Sequence, residues 1–92
     1  MAHTQAIRWT KVQDVEEKHI QELGEYAVEE QNKKENWNLE FEKVSMGWFQ
    51  HLAGNIYKLH IKADLAGTSG DYEAIVWKKH NQCNELMSFQ EL

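Results

Sequence analysis

The side chains here that could do chemistry are five histidines, one cysteine and fifteen carboxylates. His3, His19, His51, His60 and His80 show no spacing that a metal would use. His51 could approach His60 across a hairpin, but surface histidines account for the pattern. Cys83 follows His80 by three residues, and as a nucleophile it would need a base fixed beside it. Nothing local fixes His80 there. With no second cysteine, Cys83 has no internal disulfide partner and no companion for a cysteine-based metal site. Glu22, Glu25 and Glu29 fit a solvated helix face. No acid–base pair or nucleophile constellation emerges. We therefore assign no catalytic residue, metal or cofactor, and do not read the chain as an enzyme.

A binding surface is the better expectation. In Gln50-His51-Leu52-Ala53-Gly54 an apolar residue and a small one precede a glycine that can relieve backbone torsion. At an exposed hairpin tip, such a segment suits insertion into a cleft, although an ordinary hairpin loop has the same local pattern. Trp48 and Phe49 stand next to it. An exposed aromatic pair can anchor a partner, unless one of the two folds back onto the sheet.

The elements that must present this tip are one helix and several strands, an α+β order. Asp14 is placed to cap the helix, with Glu17 at a supporting offset. The expected span is about Val15 to Gln31. At about 100° per residue, Ile20, Leu23, Gly24 and Ala27 share one face, with Val28 at its edge. The small residues Gly24 and Ala27 predict close packing on a curved sheet. Leu39 and Phe41 share a face, and a bulge near Lys43 brings Val44 into phase. Ser45 to Asn55, with Gly47 and Gly54, reads as the connection containing the hairpin tip. Tyr57, Leu59, Ile61 and Ala63 alternate with Lys58, His60 and Lys62, as in a half-buried antiparallel strand. Asp64 to Asp71 reads as a turn, and Tyr72 to Trp77 as the partner strand. Leu86 to Phe89 and Arg8 to Val12 complete the set.

Composition bounds the rest. The 92 residues make one domain, 1–92, with 1–8 expected to be a flexible N-terminal segment. Hydrophobic residues are 41% of the chain, enough for a core. The net charge of −5 argues against nucleic acid as a partner. No stretch is apolar enough to cross a membrane. Met1 to Gln5 contains no apolar run, so no signal peptide is expected in this sequence. A soluble chain is expected, in the cytoplasm or secreted from a precursor that carried the signal.

Several segments together resemble the plant cystatins. Gln50 to Gly54 is similar to the Q-x-V-x-G signature, with Leu52 in place of valine. Leu23-Gly24-Glu25-Tyr26-Ala27-Val28, followed by Asn32, resembles the helix motif L-A-R-F-A-V with its later asparagine. Phe41-Glu42-Lys43-Val44 and Tyr72-Glu73-Ala74-Ile75-Val76-Trp77 resemble family strands. Order and spacing hold from about Trp9 to Lys79.

The resemblance implies a five-stranded antiparallel sheet around one helix and a wedge that blocks papain-like cysteine proteases. Its contact parts would be an N-terminal trunk, the first hairpin loop and a second loop. Here the trunk glycine is replaced by the run Ala6-Ile7-Arg8. The usual Pro-Trp of the second loop falls at His80-Asn81. An interface tryptophan can be worth about 2–4 kcal/mol, roughly 30- to 1000-fold in affinity. The resemblance thus implies reversible inhibition of reduced potency through Gln50, His51, Leu52, Ala53 and Gly54, with Trp48, Phe49, Ile7, Arg8, His80 and Asn81 flanking. The competing reading is a cystatin-fold binding or scaffold protein with altered loops that does not inhibit proteases. The resemblance also implies that the loop can open to form a domain-swapped homodimer.

Overall fold

Helix α1 spans Lys18–Glu35 and buries Ile20, Leu23, Gly24, Ala27, Val28 and Gln31, while Glu22, Glu25 and Glu29 stay in solvent. The computed structural model describes residues 8–80 and 83–92. The helix starts later than its sequence suggests. The Asp14 carboxylate accepts the Glu16 N–H at 3.0 Å, and its carbonyl the Glu17 N–H at 3.4 Å. Asp14 therefore closes a turn ahead of the helix instead of capping it. The Ncap is Glu17, with no side-chain hydrogen bond. At the other end the helix runs past Gln31 until Asn36 adopts a left-handed conformation, φ 57°, with Lys33 and Lys34 in the last turn.

The strands are β1 (Thr10–Lys11), β2 (Leu39–His51), β3 (Gly54–Leu65), β4 (Thr68–Lys79) and β5 (Glu85–Glu91). They form one antiparallel sheet in the order β1-β2-β3-β4-β5. Tyr57, Leu59, Ile61 and Ala63 of β3, Tyr72, Ala74 and Val76 of β4, and Val44 of β2 form a buried face against α1. A Cβ on Gly24 would collide with the Val44 side chain and lie 2.9 Å from Phe41 Cε1. The glycine is therefore the point of closest helix–sheet approach.

Strand β2 bends over the helix through two register shifts, between Phe41 and Lys43 and between Val44 and Met46. The first is the expected bulge; the second places Met46 and Trp48 on the outer face. Between the shifts, Gln21 of α1 serves the Val44 backbone. Its Oε1 accepts the Val44 N–H at 3.0 Å, and its Nε2 donates to the Val44 carbonyl at 3.2 Å. Three helical turns on, Asn32 does the same for Leu39, with both hydrogen bonds 2.9 Å. Two helix amides thus fix the path of β2, along a stretch that the two-residue β1 does not pair.

The connections are shorter than expected. Ser45–Gln50 belongs to β2, and the tip is only Leu52 and Ala53. Gly47 is no turn residue: it is buried, its carbonyl accepts the Val12 N–H at 2.8 Å, and an added Cβ would sit 3.4 Å from Val12 Cγ2. The Asp64–Asp71 turn contracts to Ala66 (φ 53°) and Gly67 (φ 89°). Among the described residues, no helix is long and apolar enough to cross a membrane.

Candidate functional site at the hairpin edge

Strands β2 and β3 meet at the tip through the pair His51–Asn55, leaving Leu52 and Ala53 beyond the ladder. Leu52 is 57% exposed, an apolar side chain held out into water. Ala53 sits at φ 46° and Gly54 at φ 107°. The Leu52 N–H donates to the Gly54 carbonyl at 3.1 Å. Gly54 pairs with Lys79 of β4, and a Cβ there would collide with the Lys78 carbonyl oxygen and approach the His80 nitrogen to 3.2 Å. Only glycine lets the tip lie this close to β4.

Neighbouring segments converge on the same end. Ala53, Trp77, Lys79 and His80 line a cleft of about 280 Å³, so the start of the second loop stands beside the first. β1 pairs Thr10 with Phe49 and Lys11 with Trp48, and Arg8 precedes these paired residues. Gln50, His51, Leu52, Ala53, Gly54 and His80 are thus grouped at one edge, and the structure gives no contact that places Arg8 with them. Ile7 and Asn81 lie outside the described residues.

The two adjacent aromatics part company. Phe49 packs against the core, 6.2 Å from the Tyr57 ring centre, and the His51 ring meets its edge at 5.4 Å. Trp48 points to the outer face, edge-on to His60 at 4.8 Å. His60 faces Met46 and Glu73, with its Nε2 3.0 Å from the Glu73 carboxylate, so the register separates it from His51. Lys58 lies 4.9 Å from the Trp9 ring centre and 5.0 Å from that of Trp48, a cation between two indoles.

Behind the tip, Val12, Ile20, Phe49, Asn55 and Tyr57 help to line a cleft of about 450 Å³. Burial pushes the Tyr57 hydroxyl above its ordinary pKa, partly offset by the Asn55 amide. The Asn55 Oδ1 is buried without a hydrogen-bond partner. On the second loop, Tyr26 donates its hydroxyl to the Asn84 carbonyl at 2.7 Å, tying the end of that loop to α1. Cys83 is exposed. Sequence reasoning passed over Tyr26, Trp77, Lys79 and Glu85 as supports of this edge. Tyr26 alone stood out, because it departs from the commonest form of the helix motif.

One helix laid across a five-stranded antiparallel sheet, with a hairpin tip and a second loop at one edge, is the architecture of the cystatins. The sequence model of a family described as aspartic acid proteinase inhibitor matches residues 12–92. Cysteine proteinase inhibitor A of Helianthus annuus is 42% identical over 72 residues, covering 77% of this chain and 88% of that protein. Cysteine proteinase inhibitor 5 of Arabidopsis thaliana is 40% identical over 72 residues, and cysteine proteinase inhibitor 1 of Actinidia chinensis var. chinensis 35% over 71, each covering 77% of this chain. The chain matches 59% and 61% of the length of these last two. The chain belongs to the plant cystatin family of proteinase inhibitors, and it matches the model described as aspartic acid proteinase inhibitor over nearly its whole length.

Proposed function

We propose that this chain reversibly inhibits papain-like cysteine proteinases by lodging the β2–β3 tip in their substrate cleft. The observation that carries the reading is Leu52, an exposed leucine on a backbone turn held against β4, with His80 at the same edge. Inhibition of this kind is exclusion: the tip fills the cleft beside the catalytic thiolate, no peptide bond is offered for attack, and the inhibitor needs no catalytic residue. The relatives' names speak for inhibition and against a scaffold that has lost it. Without the trunk glycine and the Pro-Trp pair, affinity falls below that of a relative with both.

A second reading rests on the family description, which names aspartic proteinases. Parallel titrations of papain and pepsin separate the two. Reversible one-to-one loss of papain activity, with pepsin untouched, is the expected result. The reverse outcome assigns the edge, or another surface, to aspartic proteinases. The tip also supports a second form, in which it opens and the β1–α1–β2 segment exchanges between two copies.

A further inference from the structure

Ala53 sits in the left-handed region at φ 46°, which costs a residue with a Cβ unless its surroundings hold it, while Gly54 adopts φ 107° freely. The tip's one internal hydrogen bond joins Leu52 to Gly54. The Ala53 carbonyl is engaged from outside: the Trp77 indole Nε1 donates to it at 3.1 Å. Trp77 stands opposite Ile56 on the outer face, two residues along β3 from Gly54, and its ring reaches back to the tip. The ring is held in turn. The Lys79 ammonium lies 5.0 Å from its centre and bridges at 2.7 Å to the Glu85 carboxylate on β5. A chain of contacts therefore runs from Glu85 through Lys79 and Trp77 to the carbonyl next to Leu52, joining the stems of the second loop to the tip of the first.

We propose that Trp77 is a positioning residue for inhibition: it holds the tip in its docking shape before the proteinase arrives. This rests on the reading of the tip as the inhibitory edge. Trp77 itself need not touch the enzyme. Its effect is on the fraction of molecules whose tip is ready to dock, and apparent affinity falls in proportion to that fraction. One neutral hydrogen bond shifts the equilibrium between ready and unready tips by about three- to tenfold, and the ready fraction falls by that factor once the unready tip predominates. Once docked, the cleft holds the tip, so the change belongs in the association rate and not in dissociation.

The test uses the full chain with papain as probe and compares wild type, Trp77→Phe, Lys79→Met and Leu52→Asp by stopped-flow kinetics. Amide exchange at Leu52 and thermal melting are measured on the same samples. Trp77→Phe keeps an aromatic ring and removes the N–H. The expected result is association slowed about three- to tenfold, dissociation changed less than about twofold, an unchanged melt and faster exchange at Leu52. Lys79→Met frees the indole without removing it and gives a smaller change in the same direction. Unaltered association and exchange in Trp77→Phe, with inhibition lost in Leu52→Asp, would overturn the positioning role and leave the inhibitory edge standing. Wild-type chain that leaves papain active, or Leu52→Asp that inhibits as well as wild type, would instead overturn the inhibitory edge and the positioning role with it. If Trp77→Phe does not fold, the Lys79→Met kinetics decide alone, and unchanged association there overturns the role.

Discussion

At Leu52 and Gly54 the edge depends on single side chains, or on the lack of one. Leu52→Ala removes apolar surface that only a bound proteinase would bury. We expect inhibition about tenfold weaker, from roughly 1–2 kcal/mol of lost transfer energy, with an unchanged melting temperature. Gly54→Ala acts differently, because φ 107° and the neighbouring Lys78 carbonyl both reject a Cβ. It should lower stability by about 1–3 kcal/mol and weaken inhibition as well, readable by denaturant unfolding alongside a papain assay. Gly24→Ala tests packing alone. The helix gains about 1 kcal/mol of propensity, against about 1–3 kcal/mol of overpacking on the stiff, fully buried Val44. Net destabilisation with undiminished inhibition at low temperature is the expected outcome. Three glycines were unevenly legible in the sequence. Gly24 and Gly54 were legible from a helical face and a turn. Gly47 carried the same glycine signal but marks a close approach of Val12, which composition cannot tell from a turn.

The path of β2 is set by polar contacts that no hydrophobic periodicity reports. Alternation identified β3, and helical spacing the buried face of α1, because burial itself imposes those patterns. The second register shift, at Ser45, stayed hidden because it turns Met46 and Trp48, both apolar, toward solvent. Gln21 and Asn32 look like ordinary helix residues until the strand they bind is seen. Gln21→Leu would leave the Val44 N–H and carbonyl without their helix partner. It should cost about 1–3 kcal/mol, measured by chemical denaturation. At the other side of the sheet, the Lys79–Glu85 pair makes a pH prediction. The hydrogen bond and charge of Lys79 hold the Glu85 carboxyl below its usual pKa. A group depressed in the folded state stabilises it fully above the ordinary glutamate value, and the contribution fades as pH falls through the lower folded value. NMR titration of Glu85 should show that low midpoint, and Lys79→Met should return it toward the ordinary value.

The described residues measure about 51 × 27 × 25 Å, and the proposed inhibitory edge occupies one end of their sheet. The core that fixes this sheet lies against the helix, so edge residues can change without unfolding it. In the proposed exchanged form the tip opens and the core contacts re-form between two copies. Warming concentrated protein should give a slowly formed dimer, separable by size exclusion and devoid of first-loop inhibition. A dimer that inhibits as well as the monomer would rule out exchange through this tip. The edge itself is tested most directly by titrating papain with wild-type chain and with Leu52→Asp, both confirmed folded by their melting curves. Reversible one-to-one inhibition by wild type, weakened at least about thirtyfold by an aspartate that would have to be buried in the cleft, is the expected result. Equal inhibition by the two chains, or none by wild type, would contradict it.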